Sequence, residues 1–82
     1  MKMDDIINEV LDEVKRAEAL HRWWPDDPLH AVCFVSEECG ELVRASNRYF
    51  FGDTYNEDEM KEEAIQTAAM AIRFLKGIGA KQ

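Results

Sequence analysis

Five acidic residues of this chain occur as two matched clusters. Glu37-Glu38-Cys39-Gly40-Glu41 is followed by Arg48-Tyr49-Phe50, and 25 residues later Glu62-Glu63-Ala64-Ile65-Gln66 is followed by Arg73-Phe74-Leu75. Carboxylates three residues apart share one face of a helix, and two such pairs on facing helices can hold a divalent cation in a bundle core. The donor set is all oxygen, which suits Mg²⁺ or Mn²⁺. The second cluster ends in an amide where the first ends in a carboxylate, so Gln66 brings an oxygen but no charge.

Glu-x-x-Glu alone also describes an ordinary solvated helix face, because Glu is a good helix former. Helical placement separates the two readings. At about 100° per residue, Glu38 and Glu41 fall in the arc of Ala31, Phe34, Val35, Leu42, Ala45 and Tyr49. Glu63 shares its arc with Met60, Ala64, Thr67, Met70, Ala71 and Phe74, with Gln66 at the edge. Glu37 and Glu62 fall on more exposed sides. If the two apolar faces meet, three carboxylates and one amide converge where an unpaired charge is costly, which forces protonation or a bound cation.

Other groups flank the clusters. Arg48 and Arg73 each lie seven residues past the last position of a cluster, two turns along the same edge, placed to hold phosphate oxygens or to pair with the acids. Trp23, Trp24 and His30 surround the start of the second helix, where a ring can stack on a nucleobase or staple the joint onto the core. Ile65, Ala69 and Ile72 make a second apolar stripe on the third helix, expected to face another helix or subunit. Cys39 falls on the apolar side and Cys33 on the other, both expected as free thiols without a chemical role.

Three helices must position these groups. Ile6, Ile7, Val10, Leu11, Val14 and Ala17 recur at helical spacing between Asp4 and Leu20. Two prolines and two aspartates in Trp24-Pro25-Asp26-Asp27-Pro28 break that helix, and Asp27 with Pro28 reads as an N-cap and first position of the next. The second helix is expected to run to Tyr49 or Phe50, with a joint at Gly52-Asp53. Asn56 and Glu59 read as a capping box opening a third helix with Glu57, Asp58 and Glu59 in its first turn, and Gly77 reads as its stop after Lys76. No alternating run marks a strand.

An 82-residue chain makes one domain, residues 1–82, near the size where a single core hardly offsets chain entropy. The expected architecture is all-α, a three-helix chain whose bundle is completed by oligomerisation. A net charge of −7 opposes a sequence-independent grip on nucleic acid, and no apolar run reaches membrane-spanning length. Met1-Lys2-Met3-Asp4-Asp5 lacks the pattern of a secretory signal, so a soluble cytoplasmic protein is expected.

Ser36-Glu37-Glu38-Cys39-Gly40-Glu41-Leu42 with Glu63-x-x-Gln66 resembles the MazG-like all-α nucleoside triphosphate pyrophosphohydrolases, whose signature is Glu-x-x-Glu on one helix and Glu-x-x-Asp on the next. The likeness extends roughly from Trp24 to Leu75 and is nearest the short phage and bacterial members. It implies Mg²⁺-dependent hydrolysis of a nucleoside or deoxynucleoside triphosphate to its monophosphate and pyrophosphate, in a homodimer or homotetramer. Carried over by position, Glu38, Glu41, Glu63 and Gln66 would hold the metal, and Glu37 or Glu62 would orient the attacking water. Gln66 departs from the signature's Asp. The alternative is a catalytically weak nucleotide-binding or helix-pairing protein on the same scaffold, its acids balanced by Arg48 and Arg73.

Overall fold

The structure, a computed structural model, describes residues 1–52 and 56–79. They form three helices, α1 (Met3–Leu20), α2 (Pro28–Phe51) and α3 (Glu57–Gly79), and the Asp53 half of the expected joint lies outside the described residues. No described helix is long and apolar enough to cross a membrane.

The caps follow the local chemistry, with one departure. The Asp27 carboxylate accepts from the Leu29 N–H at 3.0 Å, with Pro28 at the first helical position where no donor is needed. Asn56 caps α3 by accepting from the Asp58 N–H at 3.0 Å, and the Glu59 carboxylate pairs with Arg48 of α2 at 3.2 Å. Gly77 does not stop α3, which continues through Gly79. A Cβ at Gly77 would lie 2.8 Å from Trp24 Nε1, so this glycine lets the indole settle on the helix backbone.

Helix α3 is the centre. Its Ile65, Ala68, Ala69 and Ile72 pack against Ile6, Val10 and Val14 of α1, with Ala69 only 1% exposed, as expected for the second apolar stripe. Its other side packs on α2, where Ala31 and Ala45 are buried. The pairs Glu18–Lys76 and His21–Arg73 show α1 running parallel to α3, while Arg48–Glu59 and the Trp24–Gly77 contact show α2 running antiparallel to it. Helices α1 and α2 do not meet each other. They flank α3 and leave a groove along it.

The core is thin. Its buried apolar residues are small, Val10 and Val14 on α1 and otherwise alanines, and among the described residues no large side chain is fully buried. Ala64 and Ala71, placed by their helical angle on the apolar arc of α3, are exposed, because α3 divides its contacts between two partners and these positions reach neither. Both cysteines are free and exposed, including Cys39, which helical angle had put on the apolar side.

Candidate functional site

The groove between α1 and α2 has a volume of about 570 Å³ and α3 as its floor. Glu13 and Arg16 come from α1, Trp24, Phe34, Glu37 and Glu38 from the joint and α2, and Gln66, Met70 and Arg73 from α3. It has a polar end and an aromatic end.

At the polar end Glu38, Glu63 and Gln66 come together, each half-buried. One end of the Gln66 amide lies 3.2 Å from Glu63 Oε2 and 3.3 Å from Glu38 Oε2. With Nε2 at that end, the amide donates to both carboxylates. With Oε1 there, it faces two carboxylate oxygens, a repulsion that a proton on either carboxyl or a bound cation would compensate. Ligands at right angles around an octahedral ion with bonds of about 2.1 Å stand about 3.0 Å apart, close to the observed spacing. Two carboxylates and, in the second orientation, one amide oxygen are donors of the type a small hard cation takes.

Glu41 stands at the edge of this cluster. It is half-buried and 3.7 Å from Arg44, and its charge still reaches Glu38 and Glu63. Among the described residues, no three His, Cys, Asp or Glu side chains gather closely enough to hold a metal between them. Burial first, then the charge of Glu63 and further acids including Glu13, raises the Glu38 pKa above its ordinary value. Glu63 is raised too, by burial and then by Glu41, Glu62 and Glu59. Both carboxylates carry their charge at a cost that a cation would relieve.

Helix α1 supplies a pair whose position composition could not reveal. Glu13 is 16% exposed and takes Arg16 in a two-pronged contact at 2.9 and 2.6 Å. Glu13 faces Glu38 across the groove, close enough to raise its pKa. The available signal was an i, i+3 acid–base pair at the border of the α1 apolar arc, which any solvated helix also shows. Glu37 lines the groove, and Glu62 lines an adjoining hollow with Glu13, Arg16 and Gln66, so each candidate for orienting water borders the cluster.

The aromatic end is built around Phe34. His30 stacks on it at 5.7 Å with planes 22° apart, Trp24 lies 5.7 Å away, and Trp23 sits edge-on at 6.4 Å. Trp23 is exposed and Trp24 half-buried, so one indole staples the joint and the other faces solvent. Arg73 is buried, its guanidinium 4.6 Å above the Trp24 ring and donating to the His21 carbonyl at 2.7 Å. Arg48 pairs with Glu59. Both arginines thus tie elements together.

Fold and site define an all-α three-helix protein with an open groove, carrying a carboxylate–amide cluster at one end and an aromatic shelf at the other. No family model matches this chain, and no curated protein or solved structure matches it.

Proposed function

We propose that this chain hydrolyses a nucleoside or deoxynucleoside triphosphate to its monophosphate and pyrophosphate, using Mg²⁺ or Mn²⁺, as a soluble cytoplasmic homodimer or homotetramer. The observation that carries the reading is the Gln66 amide lying within 3.3 Å of both the Glu38 and the Glu63 carboxylate, in a groove that also offers exposed aromatic rings. The likeness of the two acidic clusters to the MazG-like signature points the same way.

Glu38, Glu63 and Gln66 would hold the metal, with Glu41 beside them. When bound, the ion supplies positive charge to the phosphates and acidifies a water. The chain itself contributes the rest. Trp23 and His30 offer flat faces for a base, held by Phe34 beneath. Arg16, exposed and oriented by Glu13, and the exposed Arg22 line the groove as cations placed to meet phosphate oxygens, whereas Arg73 is buried on Trp24. Glu37 or Glu62 is the carboxylate to orient water.

The test is pyrophosphate release from a panel of common and modified nucleotides with Mg²⁺ and with Mn²⁺. Activity should require the metal and disappear in Glu38→Ala and Glu63→Ala. If no nucleotide is turned over by a well-folded wild-type chain, the reading fails. A second reading, a catalytically weak nucleotide-binding protein, is favoured by the neutral Gln66 and by the structural engagement of Arg48 and Arg73. Gln66→Asp separates the two: a large gain in rate or metal affinity marks a weakened site, and a loss marks a glutamine suited to its role.

A further inference from the structure

Among the described residues the outer face of α2 is exposed, and the helical repeat sets positions at equal distances from Gly40 on that one face. Leu29 and Phe51 stand eleven residues to either side, Cys33 and Asn47 seven, Ser36 and Arg44 four. On a helix these positions share one face. The largest apolar groups are at its ends, with Leu29 78% and Phe51 84% exposed, while the centre is the smallest. A Cβ placed on Gly40 would meet nothing within 4 Å, and Gly40, Val43, Asn47 and Phe51 line a shallow hollow of about 440 Å³.

Charge decides what fits this face. Glu37 and Arg44 project on the same flank, three residues before and four after Gly40, and among the described residues Arg44 pairs loosely with Glu41 at 3.7 Å. In an antiparallel pair related by a twofold axis, equal flanks adjoin. Glu37 of each copy then meets Arg44 of the other, which offsets the repulsion between two chains of net charge −7.

We propose that two copies of this chain dimerise through the outer faces of α2, antiparallel about a twofold axis at Gly40. Leu29 of each copy covers Phe51 of the other, and the missing side chain at Gly40 lets the backbones approach. The groove between α1 and α2 stays open beside this interface. With Glu37 engaged by Arg44 of the second copy, Glu62 is the remaining candidate to orient water beside the Glu38–Glu63–Gln66 cluster.

The inference specifies the face of the oligomer named above but does not depend on catalysis, and its test reads association alone. In a Cys33→Ser, Cys39→Ser background, a chain carrying Leu29→Cys and one carrying Phe51→Cys are mixed, oxidised and run on a non-reducing gel. The 29–51 heterodimer should dominate over either homodimer. Light scattering should show a dimer for the wild type. Gly40→Glu, which keeps a good helix former and is checked by circular dichroism, should weaken the dimer by roughly tenfold or more. Arg44→Glu should weaken it as well, and adding Glu37→Arg should restore it. A dimer that survives Gly40→Glu and gives no 29–51 cross-link uses another face, such as Met3, Ile7 and Leu11 of α1, and overturns the inference while leaving an oligomer in place. A wild-type monomer overturns both.

Discussion

Glu38 is a liability in the folded chain that a bound cation would relieve. Burial and neighbouring acids raise its pKa, so the folded metal-free chain binds a proton there more readily than the unfolded chain does. For a carboxylate raised in this way, the stabilising contribution is complete below the ordinary value of 4.5 and is lost as pH climbs through the raised folded value. Glu63 adds to the same trend. The melting temperature of chelator-treated protein should therefore decline from just below pH 5 toward neutrality by more in the wild type than in Glu38→Gln. At pH 7 Glu38→Gln should melt higher without metal, yet titration calorimetry should show weakened Mg²⁺ binding. A lower melting point for the metal-free variant would mean that the Glu38 charge is already compensated. Arg73 makes the opposite case, a charge whose work is structural. Arg73→Leu removes the stacking on Trp24 and leaves the His21 carbonyl unpaired, which should cost about 2 kcal/mol in urea unfolding.

At the scale of elements, the joint between α1 and α2 is stapled to the end of α3. Trp24 lies between Phe34, the Arg73 guanidinium and the bare backbone of Gly77. Two effects compete in Gly77→Ala. Alanine improves helix propensity by about 1 kcal/mol, whereas its Cβ would stand 2.8 Å from Trp24 Nε1 and displace the ring, a form of overpacking that costs about 1–3 kcal/mol. The indole is wedged among fixed neighbours, so the steric term should prevail. The variant should unfold at lower urea, with tryptophan emission shifted to the red. An unchanged emission maximum together with a stabilised fold would show that the ring yields without cost. Such a packing role is invisible in the chain, where Gly77 after Lys76 looks like a helix stop.

The described residues make an open arrangement, two helices laid on a third with none of them across the top. Small residues make it possible. Ala69 is buried between α1 and α3, and Ala69→Leu should force them apart at about 1–3 kcal/mol, measured as a drop in the unfolding midpoint. A core this poor in large side chains, beside an outer α2 face carrying Leu29 and Phe51 exposed, is consistent with a chain that gains further burial from a second copy.

Much of this was written in local pattern. Helical periodicity, Pro25, Pro28 and the Asp27 cap determine three helices with nearly the observed limits, because these signals act within a few residues. The same periodicity places Glu38, Glu63 and Gln66 on inward-facing sides, and the structure brings these three together. What the chain could not reveal is what each face meets. Glu41 shares the arc of Glu38 but is left at the edge of the cluster beside Arg44. Arg73 and Arg48 occupy equivalent places after their clusters, yet one is buried on Trp24 and the other pairs with Glu59. Glu13 enters the site only because α1 runs parallel to α3 and apart from α2. Those outcomes depend on relative helix directions and spacings, which are settled by contacts between residues far apart in the chain.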